Sequence, residues 1–121
     1  MKVLVCGGRD FNDKTMVYNV LNNRMIQANG KITHIIHGNA RGADTLAGQW
    51  ARETGVQEVS CPANWQVHGR RAGFIRNKAM LDLLNPEKDI VIAFPGGRGT
   101  EMMVDIAKKA NVTVRRIMYA T

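Results

Sequence analysis

Apolar and polar positions follow two rhythms along the chain. Five short segments, residues 2–6 (KVLVC), 32–36, 56–60, 89–94 and 113–117, read as strands, and 2–6 and 89–94 are near-continuous in apolar residues. Strands of a sheet buried on both faces have that pattern. Between them the period lengthens. In residues 13–29, Met16, Val17, Val20, Leu21, Met25 and Ile26 recur near i, i+4 spacing, which predicts a helix. In residues 43–54, Ala43, Leu46, Ala47, Trp50 and Ala51 fall on one helical face. Residues 70–84 and 100–110 predict two more helices. Asn29-Gly30 and Gly55 supply left-handed endings for the first two, and Asn85-Pro86 stops the third. The order β-α-β-α-β-α-β-α-β predicts an α/β fold: a five-stranded parallel sheet with helices on both faces.

At 121 residues, the chain predicts a single domain spanning 1–121. No apolar run approaches the roughly 18 residues that a membrane span requires. The apolar stretch after Lys2 turns to glycine too early for a signal-peptide core, so a cytoplasmic protein is expected. Cys6 and Cys61 make neither a disulfide framework nor a zinc site; each reads as a small apolar residue near a strand end. The net charge of +7, from 17 basic and 10 acidic residues, favours anionic partners such as nucleotides, nucleic acid or an acidic surface, without choosing among them. Plain solubility accounts for it as well.

The chemistry concentrates in three loops that each follow a strand and precede a helix. They read Gly7-Gly8-Arg9-Asp10, His37-Gly38-Asn39-Ala40-Arg41-Gly42-Ala43-Asp44, and Pro95-Gly96-Gly97-Arg98-Gly99-Thr100. In an open parallel sheet all three lie beyond the carboxyl ends of the strands, where ligands bind. Glycine lets the backbone approach an anion closely, the following helix adds unpaired N–H groups, and arginine grips phosphate through paired hydrogen bonds. The three loops together predict a shared anion site. They contain no Gly-Lys-Ser/Thr and no G-x-G-x-x-G, so neither a Walker loop nor a dinucleotide fingerprint is expected. No cofactor and no metal site are expected either.

Individual residues have two readings each. Thr100 either caps its helix or bonds a phosphate, and Arg98 faces either solvent or ligand. Arg76 falls within the apolar stripe Ala72, Ile75, Ala79, Met80 and Leu83. A cation there needs a ligand anion, a carboxylate such as Asp10 or Asp44, or a route out to water. Asp44 either answers the helix dipole or accepts hydrogen bonds from ribose hydroxyls; Asp10 either caps the first helix or plays a similar part. Trp65 stacks on a base or packs in the core, and Trp50 reads as core. His37 and His68 bind a ligand or titrate, and they are too far apart in sequence to argue for a metal.

The segments GGRDF, HGNARGADTLAGQWA, PANWQVHGRRAGFIRNKAM and DIVIAFPGGRGTEMM together resemble the SLOG superfamily, nearest to its DUF2493 group of YspA/YpsA-related proteins. The resemblance covers essentially the whole chain. It implies a Rossmann-like fold and a pocket for a nucleotide or nucleotide-derived ligand, used for sensing or processing. Gly96, Gly97, Gly99 and Thr100 match the phosphate-binding PGGxGT of the cytokinin-activating phosphoribohydrolases in that superfamily. Arg76, followed by Asn77, matches their catalytic arginine. Their motif continues to a glutamate where this chain has Met103, and Glu101 lies two positions earlier. If the chain cleaves an N-glycosidic bond as they do, Arg76, Asp44 and Glu101 are the candidates. The superfamily also contains DprA, so nucleic-acid binding through Arg70-Arg71, Lys108-Lys109 and Arg115-Arg116 is a third reading, and self-association in both relatives extends to a homo-oligomer here.

Overall fold

A computed structural model describes residues 1–119. Five strands, β1 (Lys2–Cys6), β2 (His34–His37), β3 (Gln57–Ser60), β4 (Ile90–Ala93) and β5 (Thr113–Arg116), form one sheet in the order β3-β2-β1-β4-β5. Every neighbouring pair is parallel, with registers such as Val3↔Ile35 and Val5↔Ile92. The helices are α1 (Lys14–Gln27), α2 (Ala43–Thr54), α3 (Trp65–His68), α4 (Ala72–Leu81) and α5 (Arg98–Lys109). The fold is Rossmann-like.

The near-continuous apolar strands serve two faces. Val3, Val5, Ile35, Ile90 and Ile92 point to one side, where Val17 and Leu21 of α1 and Ala47, Trp50 and Ala51 of α2 cover them. Leu4, Ile36, Val91 and Ala93 point to the other, where Met80 and Leu81 of α4 and Met103, Val104 and Ala107 of α5 pack. The period of two in β1, β2 and β4 therefore feeds two apolar layers.

Local chemistry sets the helix ends. Asp13, not Asp10, caps α1; its carboxylate accepts from Met16 N–H at 3.0 Å. Gly55, at φ +77°, ends α2 in the left-handed conformation. The expected helix over 70–84 is shorter. It begins at Ala72 and follows α3 and a 3₁₀ turn (Gly69–Arg71). Its buried side is also rotated. Ala72, Asn77, Met80 and Leu81 are buried, whereas Ala79 and Leu83 are exposed. Polar Asn77 can occupy the inner face because its amide bonds to Arg76 and to the start of α5. That hydrogen bonding overrides the apolar count.

The strand order places the site. From β1 the chain moves outward to β2 and β3, then returns to the other side of β1 for β4 and β5. The loops after β1 and β4 thus diverge from neighbouring strands, which opens a crevice at their carboxyl ends.

Candidate functional site

The crevice is a cavity of about 340 Å³ lined by Gly7, Gly8 and Arg9 after β1, by Ala40 and Asp44, by Arg76 and Asn77 of α4, and by Gly97, Arg98, Gly99 and Thr100 at the start of α5. A second lobe of about 280 Å³ shares Arg9, Ala40 and Arg76 with it and adds Gly38, Asn39, Arg41, Pro62, Ala63 and Trp65. All three glycine-bearing loops reach this two-lobed groove, and α4 closes one wall.

The loops contribute differently. The loops after β1 and β4 are stitched together: Gly8 N–H donates to Pro95 O at 2.9 Å, and Phe94 N–H donates to Cys6 O at 2.9 Å. A side chain at Gly96 would collide with Thr100 Oγ1 and with the Gly7–Gly8 backbone. A Cβ at Gly7 would stand 2.6 Å from Ala43 Cβ. These glycines let three segments meet at backbone distance. Gly42 has φ +80°, and a Cβ there would strike Gly8 O.

The loop after β2 is closed on itself. Gly38 N–H donates to Asp44 Oδ2 at 3.0 Å and Ala40 N–H to the same oxygen at 3.2 Å. Asn39, held at φ +59°, donates its N–H to His37 Nδ1 at 3.0 Å. These three amides already have protein acceptors, so the 38–40 segment brings side chains rather than N–H groups to the groove. Burial pushes the Asp44 carboxyl up from its ordinary value, while the Ala40 N–H, His37, Arg76 and the Gly38 N–H pull it back.

The loop after β4 is open. Gly97 is the N-cap of α5 and has no side chain to cap with. The helix begins at Arg98, so Thr100 stands inside its first turn and is not the cap. The N–H groups of Arg98, Gly99 and Thr100 have no acceptor among the described residues, as the first turn of any helix leaves them. A Cβ at Gly97 or Gly99 would meet nothing within 4 Å, so protein packing does not require glycine at either position. Thr100 is 4% exposed and lines the cavity.

Arg76 is half-buried. Its Nη1 donates to Gly38 O at 2.5 Å and its Nε to Asn77 Oδ1 at 2.8 Å. No carboxylate lies within ion-pair distance of it among the described residues. Burial lowers the guanidinium pKa and nearby Arg9 adds to the fall, while Asp44 opposes both. The arginine is therefore a cation with neutral hydrogen-bond partners and incomplete charge compensation. Arg9 and Arg98 are exposed on the rim.

Five candidates line neither lobe: Gly42 and Gly96, which serve the close packing of the loops, and Asp10, Pro95 and Glu101. Asp10 is fully exposed and lies 3.7 Å from Arg41, which is itself exposed on the second lobe. Glu101 is exposed on the outer side of α5 and is held by both guanidinium nitrogens of Arg116. Pro95 gives its carbonyl to Gly8 and does not line the cavity. Met103, at the position of the hydrolases' glutamate, is 0% exposed in the second apolar layer.

The sequence profile of the YspA, cpYpsA-related SLOG family, YAcAr, matches residues 1–68. The Gene 61 protein of Mycobacterium phage D29 is 34% identical over 120 residues, covering 93% of each chain. The chain belongs to this family. The YAcAr match takes in β1, β2, β3 and the two inner glycine loops, and the phage relative carries the likeness on through the α4 and α5 segments.

His37 was offered as a ligand-binding or titrating group, but its partners in this SLOG chain escaped the sequence reading. His37 is 2% exposed, and because its Nδ1 accepts from Asn39, its Nε2–H donates to Glu58 Oε2 at 2.6 Å. Arg52 holds the other oxygen of Glu58 at 2.5 Å. A Cβ at Gly48 would press on both Glu58 and His37 Nε2, so Gly48 makes room for the pair. The only sequence signal was a histidine ending an apolar strand and a glutamate in the next one. Pairing them requires the register Ile35↔Glu58, which places Glu58 diagonal to His37 on one face. No described helix is long and apolar enough to cross a membrane.

Proposed function

We propose that this chain binds a nucleotide or nucleotide-derived ligand, as a sensing or processing domain, with a phosphate group in the first lobe. The open first turn of α5 carries the reading. Three unpaired N–H groups, the Thr100 hydroxyl and the N-terminal partial charge of the helix converge on a cavity whose rim holds Arg9 and Arg98 and whose wall holds Arg76. Gly97 and Gly99 keep that turn clear of side chains although no neighbour demands it. SLOG membership supports a nucleotide-related role at a general level. Asp44 is the one carboxylate on the described cavity wall, and one of its oxygens already accepts two backbone N–H groups. With Met103 in the core and Glu101 paired to Arg116, binding is favoured over glycosidic cleavage.

Calorimetry against mono-, di- and cyclic nucleotides and ADP-ribose derivatives tests the reading. A binder is expected that is weakened about ten-fold or more by Arg76→Ala, the scale of a charge-assisted hydrogen bond to an anion. No heat with any compound, or a binder indifferent to Arg76→Ala and to Thr100→Val, would overturn it.

A further inference from the structure

We infer that the second lobe is a stacking subsite for the aromatic base of the ligand, with the Trp65 indole as its platform. This rests on the phosphate reading above and extends it to the ligand's other end.

The two tryptophans differ sharply. Trp50 is 1% exposed, and its indole N–H donates to Asn22 Oδ1 at 2.8 Å. Trp65 is 51% exposed, and its indole N–H has no acceptor among the described residues. A large aromatic surface left in water is unfavourable unless something covers it. Its position is fixed nonetheless. Asn64 caps α3 by accepting from Val67 N–H at 3.1 Å, and Gly69, at φ +56°, turns the chain toward α4. A Cβ at Gly73 would be 3.6 Å from the far edge of the indole, so that edge abuts α4 where it carries no side chain.

The surroundings suit a base. Pro62 and Ala63 supply apolar wall beside the ring, and Arg9, Arg41 and Asn39 supply donors at the rim. Stacking accepts any base, because every base has a π-face. Arginine donors then select edges rich in acceptors. The shared Arg9–Ala40–Arg76 waist joins this lobe directly to the phosphate lobe. A nucleoside 5′-phosphate can therefore place its two ends in the two lobes with the ribose at the waist. Ribose 5-phosphate or inorganic phosphate would fill only the first.

Tryptophan fluorescence reads this out, since Trp50 is sealed in the core and Trp65 faces the ligand. Titration with the nucleotides of the calorimetric panel, ribose 5-phosphate and inorganic phosphate is the experiment. At least one nucleotide is expected to quench Trp65 and to bind about ten-fold more tightly than ribose 5-phosphate. By calorimetry, since both variants lack the fluorescent reporter, Trp65→Ala is expected to reduce that nucleotide's affinity to the level of ribose 5-phosphate, and Trp65→Phe to keep most of it. If nucleotide and ribose 5-phosphate bind equally, or if Trp65→Ala leaves nucleotide affinity unchanged, the stacking subsite is overturned while the phosphate reading stands. If no compound binds, both fall.

Discussion

The loops after β2 and β4 look alike in sequence, each with glycines around an arginine before a helix, yet they face opposite ways. In the first, the amides of Gly38, Asn39 and Ala40 turn inward to Asp44 and His37. In the second, the amides at the start of α5 turn toward the cavity and keep no protein partner among the described residues. The glycines differ correspondingly. Gly38 and Gly42 are demanded by neighbours, Arg76 and the Gly8 carbonyl, as Gly96 is by Thr100 and the Gly7–Gly8 backbone; Gly97 and Gly99 are demanded by nothing among the described residues. Each glycine of such a loop thus serves either packing or a ligand, and its neighbours, with the acceptors of the nearby amides, tell which.

Substitutions that add or remove a single group should separate the two kinds. Gly42→Ala carries the largest expected effect, because it sets a Cβ against Gly8 O in a left-handed backbone. We expect a loss of about 3 kcal/mol or more in urea denaturation, against less than about 0.5 kcal/mol for Gly97→Ala. Equal losses would erase the distinction between the loops. Asp44→Ala comes next. It strands the Gly38 and Ala40 amides, at about 2–3 kcal/mol, whereas Asp44→Asn keeps an acceptor oxygen and should recover much of that.

Glu58→Gln sharpens the inward side through pH. The His37 and Arg52 hydrogen bonds hold the Glu58 carboxyl below its ordinary value. A lowered folded pKa means stabilisation that is complete above the unfolded value of 4.5 and is lost as pH falls through the folded one. The variant should therefore melt below wild type at neutral pH and converge with it in acid. Asp44 is shifted upward, so its contribution runs the other way, but it is common to both proteins and cancels in the difference. A gap in melting temperature that stays constant with pH would count against the His37–Glu58–Arg52 arrangement. An effect of opposite sign is expected at Gly99→Ala, where removing a helical glycine should add up to about 1 kcal/mol of stability. The same change should weaken ligand binding, because the new methyl group occupies the mouth of the first turn.

The sheet and most helices were legible because a buried parallel strand and a half-buried helix leave different periods in sequence. The α2 range, 43–54, and the left-handed endings at Asn29-Gly30 and Gly55 follow from local residues alone. What was not legible depends on partners distant in the chain. A four-residue helix such as α3 is too short to show a period; only the Asn64 cap marks it. The rotation of α4 comes from Asn77 meeting α5 across more than twenty residues of sequence. Likewise Asp10 looked like the cap because it precedes the first helix, but Asp13 stands at the right offset from Met16. The glycine loops could be located from sequence, but the direction of their amides could not, since Asp44, His37 and Arg76 decide it.

The hydrogen bonds from Gly8 to Pro95 and from Phe94 to Cys6 join the chain's beginning to its last third. Both walls of the first lobe hang on that seam, so the pocket cannot exist until β4 has docked beside β1. Closing so long a stretch of chain is entropically expensive and slow. An occupant that grips both walls would hold the seam shut, so ligand should appear in experiments as resistance to unfolding and to proteases, growing with the logarithm of its concentration.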